Sequence, residues 1–290
     1  MTEIRVSMRR RLVLGATLAA AVAAFSAPGP VWAQATKINV GVDGTFAPHA
    51  MPKLGGGIEG FNVDMANEIA KRLHRPIEIV AQEYSGLIPA LNSGRYDWLA
   101  APTTVTKERA ESLLFSEGYL NTDFQFLIRK GAPEITKFED LKGRKIATNK
   151  GSAYDAWAEQ NKEKYGFEAS AFPTQTDAVQ AVMAGRADAN LAGNTVTAWA
   201  AKQNPQLQLS YTIKTGLVWA VAFRKDDKAG RELVENAVEC MKLDGTLARL
   251  HETWFGVKAA ADSPAVVVYK GYGVPDMPGY DPTEHTPRCN

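Results

Sequence analysis

From Ile38 to Thr104 the apolar positions change period at each punctuating residue. Ile38 to Asp43 (INVGVD) is a short apolar run before a glycine-containing loop, the pattern of a buried strand. Phe61 to Leu73 places Val63, Ala66, Ile69, Ala70 and Leu73 at helical spacing, and Pro76 stops that helix. Ile77 to Val80 is a strand. Leu87 to Leu91 begins a short helix that Gly94 ends, and Tyr96 to Ala101 is a strand running into a Thr-rich turn. Thr106 is placed to cap the next helix, with Glu108 in its first turn. Further on, Phe124 to Arg129, Lys145 to Thr148 and Leu217 to Phe223 read as strands, and Ser152 as a helix cap. Glu232 to Trp254 reads as a long amphipathic helical region interrupted at Gly245. This alternation predicts an α/β fold with mainly parallel sheets flanked by helices.

One phrase of this pattern occurs twice. Residues 87–104 (LIPALNSGRYDWLAAPTT) and 178–195 (AVQAVMAGRADANLAGNT) align Gly94 with Gly185, Arg95 with Arg186 and Asp97 with Asp188. Each copy is a helix, a glycine stop, an Arg-x-Asp turn and a strand ending in small residues. Asp97 and Asp188 recur at one turn and point to local turn or capping bonds rather than to a catalytic pair. Two similar lobes imply a cleft between them, and such clefts hold small ligands. With crossings near 120–126 and 215–221, the expected division is residues 34–122 with 220–262 for lobe 1, 123–219 for lobe 2 and 263–290 for a C-terminal extension.

Composition changes the picture at the ends. Arg9, Arg10 and Arg11 precede an apolar run from Leu12 to Phe25, and Val31-Trp32-Ala33 offers small residues at −3 and −1, so residues 1–33 read as a secretory signal peptide. The run is shorter than the roughly 20 residues of a spanning helix. Taking away the leader's four Arg and one Glu leaves two more acidic than basic residues, which does not favour nucleic acid. Export and an even count suggest a disulfide between Cys240 and Cys289, which would pin the Pro/Gly-rich tail to the body. Two free thiols or an intermolecular pair are the alternatives.

The candidate chemistry sits at the carboxyl ends of strands, where α/β sheets place ligands. The four ends carry Asp43 with Phe46, Ala101 to Thr104 with Arg109 in the next helix, Asn149 to Ala153, and Asn190 to Asn194. Thr104, the helix start at Thr106 and Arg109 make a carboxylate site: a helix N-terminus offers unbonded N–H groups, and a guanidinium grips a carboxylate with two parallel bonds. The turn at Gly151-Ser152-Ala153 adds donors from the other lobe, so an anion could bridge both. The competing reading pairs Arg109 with Glu108 or Glu111 at the surface.

At this point the chain resembles the bacterial extracellular solute-binding proteins of family 3, the polar amino-acid receptors of ATP-driven importers. The stretches GFNVDMANEIAKRL (60–73), YSGLIPALNSGRYD (84–97), TVTKERAESLLFSEGY (104–119) and LKGRKIATNKGS (141–152) carry the resemblance in sequence and order, over about Ile38 to Val257. It implies the two-lobed type II periplasmic binding protein fold with a hinge, a periplasmic location, importer membrane subunits as partners, a monomer, and no catalysis or cofactor. It also implies roles. Arg109 would bind the ligand carboxylate with Thr104 and the amides near Ser152 and Ala153. Phe46 and Tyr84 would be aromatic walls. Pro102, next to Ala101, sits where a backbone carbonyl receives an ammonium, and Asp43 and Asn149 would face the ligand side chain. Family members usually place an acid at the fourth strand end to bind the α-ammonium, where this chain has Gly193 followed by Asn194. Either Asn194 or Asp43 serves instead, or the ligand is not a standard α-amino acid.

The remaining candidates are weaker. His49, His74, His251 and His285 are scattered, with no metal-ligand spacing. His49 lies near the expected pocket mouth, and Trp219 on a crossing strand reads as core or hinge packing. Two other functions fit the same scaffold. One is an exported lyase, which needs a general acid or base, with Asp43 the main carboxyl candidate. The other is a sensor subunit presenting its ligand to a membrane partner.

Overall fold

The computed structural model describes residues 37–289, so the expected signal peptide lies outside the described residues. The first part of the chain runs β1 (Ile38–Val42), a two-strand hairpin of β2 (Met51–Pro52) and β3 (Ile58–Glu59), α1 (Phe61–Arg72), β4 (Ile77–Ala81), α2 (Tyr84–Asn92), β5 (Trp98–Thr104), α3 (Lys107–Ser112), β6 (Leu113–Phe115) and β7 (Leu120–Asn121). The second part runs β8 (Phe124–Arg129), β9 (Lys145–Asn149), α4 (Ala153–Tyr165), β10 (Glu168–Phe172), α5 (Gln175–Met183), β11 (Ala189–Gly193), α6 (Asn194–Gln203) and β12 (Leu207–Ile213). The chain then returns with β13 (Val218–Arg224), α7 (Lys228–Leu243) and α8 (Thr246–Phe255). Among the described residues no helix is long and apolar enough to cross a membrane.

Two sheets result, one per lobe. The first has the order β4-β1-β5-β13-β6, with β7 also on β13, and the second the order β10-β9-β11-β8-β12. In each, three parallel strands (β1, β4, β5 and β9, β10, β11) are extended by antiparallel ones. The antiparallel strands β8 and β13 lie just beyond the two crossings and pair with strands distant in sequence, β11 and β12 in one sheet and β5 in the other. Val218 and Trp219 pair with the first sheet, two residues before the expected return at 220. The crossings are tied together. Thr215 donates its hydroxyl to the Thr122 carbonyl at 2.6 Å and its amide to Asp123 Oδ1 at 3.1 Å.

The repeat is realised as the same device in each sheet. Gly94 and Gly185 end α2 and α5 in the left-handed conformation, at φ 78° and 72°. The aspartates bond to neighbouring strands, not within their own turn as expected. Asp97 accepts the amide of Asn39 in β1 at 2.8 Å, and Asp188 the amide of Lys145 in β9 at 2.7 Å. Each carboxylate brackets the start of a neighbouring strand, which fixes register and so fixes where the strand ends fall.

A disulfide joins Cys240 in α7 to Cys289, closing a span of 49 residues. The tail lies on α7 over a buried set of charges: Glu117, Arg231, Glu235, Glu239 and Lys242. Lys242 Nζ meets Glu117 at 2.7 Å, and the tail amide of Gly273 donates to Glu235 at 2.6 Å. Burial pushes Glu235 up to about 8 against the pull of nearby Arg231. The folded protein therefore keeps a proton that the unfolded chain releases near pH 4.5, and this stability is complete below that pH and declines as pH rises through about 8. Glu117 and Glu239 are shifted the same way by burial, and Lys242 is lowered, which acts at higher pH. Melting curves at pH 5 and pH 8 should show a smaller fall for Glu235→Gln than for the wild type; equal falls would show that Glu235 ionises freely.

Candidate ligand site between the lobes

The carboxyl ends of β1, β5, β9 and β11 meet at the seam between the sheets. Asp43, just after β1, is buried; its Oδ1 accepts from the Thr45 amide (2.9 Å) and hydroxyl (2.6 Å), and its Oδ2 accepts from Asn149 Nδ2 at 2.7 Å across the seam. Burial pushes the Asp43 carboxyl above the ordinary range, with these bonds opposing. The Asn149 Oδ1 is buried without a donor.

Arg109 follows the cap predicted at Thr106, whose side chain accepts the Arg109 amide. Its Nη1 donates to the Thr104 carbonyl at 3.2 Å and its Nη2 to the Gly151 carbonyl of the other lobe at 3.0 Å. It forms no ion pair with Glu108 or Glu111 among the described residues. The guanidinium lies 5.8 Å from the Tyr84 ring. Beside it opens a groove of about 470 Å³ lined by Arg109, Phe124, Gly151, Ala153, Trp157 and Leu217, among others. Gly151 is at φ +77°, which lets the chain after β9 turn back into α4 and approach Ser85 across the seam. Ser152 caps α4 as expected. The Gly151 amide, however, is taken by Asp155 at 2.9 Å and the Ser152 amide by the Asn149 carbonyl at 3.1 Å. Of the three expected donors, the Ala153 amide is the one in the first helical turn with no intrahelical acceptor.

Ala101 and Pro102 are buried in β5, and the Ala101 carbonyl accepts the Thr103 hydroxyl at 2.9 Å. Thr104 Oγ1 accepts from Trp219 Nε1 at 3.1 Å, which leaves its own hydrogen to donate. Trp219 packs in the core and at the seam, as the sequence suggested. It is fully buried, yet it reaches into the seam, packing edge-on to Phe46 (6.2 Å) and His49 (4.8 Å). Phe46 also stacks on Tyr154 at 6.4 Å, and Phe124 packs edge-on to Tyr154 at 4.8 Å. His49 is not at a mouth but fully buried, bridging Asn62 (2.9 Å) and Thr195 of the other lobe (2.8 Å). Asn62 spends its Nδ2 on Ala100 and Tyr119, so its Oδ1 faces His49, Nδ1 carries the proton, and Nε2 accepts from Thr195. Burial lowers this imidazole to about 3, so it stays neutral.

Gly193 ends β11 against this cluster. A Cβ there would lie 2.6 Å from Trp219 Cζ2 and 3.0 Å from the Tyr154 hydroxyl. Gly193→Ala should therefore displace the indole, break its bond to Thr104 and cost about 1–3 kcal/mol. A lower melting temperature with a shifted tryptophan emission checks this, and an unchanged melt would show that the contact is loose.

The model of the bacterial extracellular solute-binding proteins, family 3, matches residues 38–257. The chain belongs to that family. It is 28% identical over 258 residues to the L-arginine-binding protein of Pseudomonas aeruginosa, covering 86% of this chain and 97% of that one. It is 30% identical over 219 residues to the L-cystine-binding protein TcyJ of Escherichia coli, covering 75% and 82%. Among solved structures, an ancestral arginine-binding protein bound to arginine superposes with a TM-score of 0.73 at 32% identity, over 77% of this chain and 100% of that one. An ancestral amino acid-binding protein described as a precursor of cyclohexadienyl dehydratase gives 0.71 at 32% identity, over 76% and 95%. The chain is thus a two-lobed solute-binding protein of the amino-acid importer class.

Proposed function

We propose that this solute-binding protein works in the periplasm as a monomer. It captures a small carboxylate in its interlobe cleft and presents the closed form to importer membrane subunits. The observation that carries the reading is Arg109. It is a guanidinium without a carboxylate partner among the described residues, and it already spans the seam to the Gly151 carbonyl. A ligand carboxylate exchanging for those carbonyls would gain charge-assisted bonds from Arg109, the Thr104 hydroxyl and the Ala153 amide at the start of α4. These donors belong to both lobes, so binding favours the closed state. Phe46 and Tyr84 would flank the ligand body, with Asp43, Ala101, Pro102, Asn149, Ser152, Gly193 and Asn194 completing the lining.

The curated relatives named above are binding proteins by description, and catalysis is not part of this reading. Asp43 is already held by Thr45 and Asn149, which leaves it poorly placed to move a proton. Thermal-shift screening against amino acids, opines, betaines and dicarboxylates tests the proposal. A stabilising ligand whose shift survives Arg109→Ala would defeat it.

A further inference from the structure

The seam between the lobes holds a second hollow, of about 260 Å³, which shares no lining residue with the groove beside Arg109. One wall is α6. Thr195, Ala198, Trp199 and Lys202 follow one another on this helix at three- and four-residue spacing, which puts them on one face. The facing wall comes from lobe 1: Pro48, in the loop after β1, with Trp254 and Phe255 at the end of α8.

The lobe 1 wall is held in place. Trp254 Nε1 donates to Asp64 Oδ2 of α1 at 2.8 Å, and the Phe255 ring packs on Phe61 at 5.1 Å and on His49 at 5.4 Å. The α6 wall is different. Trp199 is half-buried, yet its ring meets no other ring and its N–H has no acceptor among the described residues. Lys202 is exposed and has no ion pair among the described residues, and the lining contains no acid.

A cavity of about 150 Å³ holds a benzene ring, so this hollow has room for one ring and its substituents. Trp199, Trp254 and Phe255 give such a ring faces and edges to pack on. The indole N–H and the Lys202 ammonium are two donors on one helix face with no carboxylate opposite them, which suits an anion. Because Lys202 is exposed, that anion keeps part of its hydration while the ring is buried, so its desolvation costs little.

We infer that this hollow is a second ligand site, for a small aromatic carboxylate whose ring lies among Trp199, Trp254 and Phe255 and whose charge meets Lys202. Both lobes line it, so its occupant bridges them as a cleft ligand does, without sharing the seat at Arg109.

Calorimetric titration of the whole protein with benzoate, phenylacetate and indole-3-acetate tests it, each beside its uncharged amide. The expected result is that at least one acid binds, at least about tenfold tighter than its amide, and is weakened about tenfold or more in both Lys202→Gln and Trp199→Ala. Lys202→Gln removes no hydrogen bond or ion pair of the folded protein. The same acid should bind Arg109→Ala as tightly as the wild type. Binding lost in Arg109→Ala puts the acid at the proposed seat and overturns the inference while leaving that seat standing. Binding that survives both α6 variants, an amide that binds as tightly as its acid, or a panel in which no acid binds also overturns it.

Discussion

Arg109→Ala should weaken binding of the ligand by about 100- to 1,000-fold while leaving the fold intact. A bond between charged groups contributes about 1.5–3 kcal/mol net, and a guanidinium can make two such bonds to one carboxylate. Toward the lower end of that range the two bonds together contribute about 3–4 kcal/mol, which sets the fold-change. The variant should melt close to the wild type, because the side chain is half-buried and its own bonds go to the Thr104 and Gly151 carbonyls, which water can replace. Arg109→Lys sharpens the test. It keeps the charge but loses the planar fork, so it should recover only part of the affinity. If Arg109→Ala binds as tightly as the wild type, the carboxylate is held elsewhere. If Arg109→Lys is fully restored, the site uses charge and not the paired geometry.

The residues of the proposed seat could be read together from the sequence because they are local. A strand, a Thr-rich end, a capping Thr106 and Arg109 lie within one short stretch, and periodicity places them on adjoining elements. The repeat was legible for the same reason, since Gly94 and Gly185 stop helices through their own backbone conformation. The strand-bracketing role of Asp97 and Asp188 was not, because the partners Asn39 and Lys145 are distant in sequence. The ring contacts of Trp219, expected as core or hinge packing and fully buried, were not legible either. Its apolar strand argues for core, and the strand is core, but its ring ends against Gly193 in the seam. No periodicity states which rings will meet across two sheets. Gly193 in place of the acid that the resemblance implies could be read from the sequence; the indole packed against it could not.

The same limit applies to α7. Its charged positions read as the wet face of an amphipathic helix, yet Arg231, Glu235 and Glu239 are buried, because an irregular tail covers them. Such a tail has no period to betray it. Its backbone supplies what the charges need: the Tyr269 amide donates to Glu117 at 2.7 Å and the Gly273 amide to Glu235. Tyr272 stacks on His285 at 3.9 Å and lies 5.0 Å from the Arg231 guanidinium, while His285 meets Glu239 at 2.8 Å.

Cutting the tether should therefore be the largest loss of stability from a single substitution. Cys289→Ser reopens a loop of 49 residues in the unfolded chain. The chain-entropy model gives about 4 kcal/mol for a loop of that size, and measured losses run about 2–5 kcal/mol. For a protein of this length the melting temperature should fall by roughly 5–15 °C. Wild-type protein melted in a strong thiol reductant should match the variant, because both remove the same constraint. Removing the tail after Val257 should cost more than either. It removes the Tyr269 and Gly273 amides and the His285 ring from Glu117, Glu235 and Glu239 together with the surface that the tail covers. Ligand affinity at saturating stability should be unchanged in Cys289→Ser, since the tail lies on α7 and the seat on α3 and α4. A Cys289→Ser variant that melts with the wild type would mean that the contacts of Tyr269, Tyr272, Gly273 and His285 hold the tail by themselves.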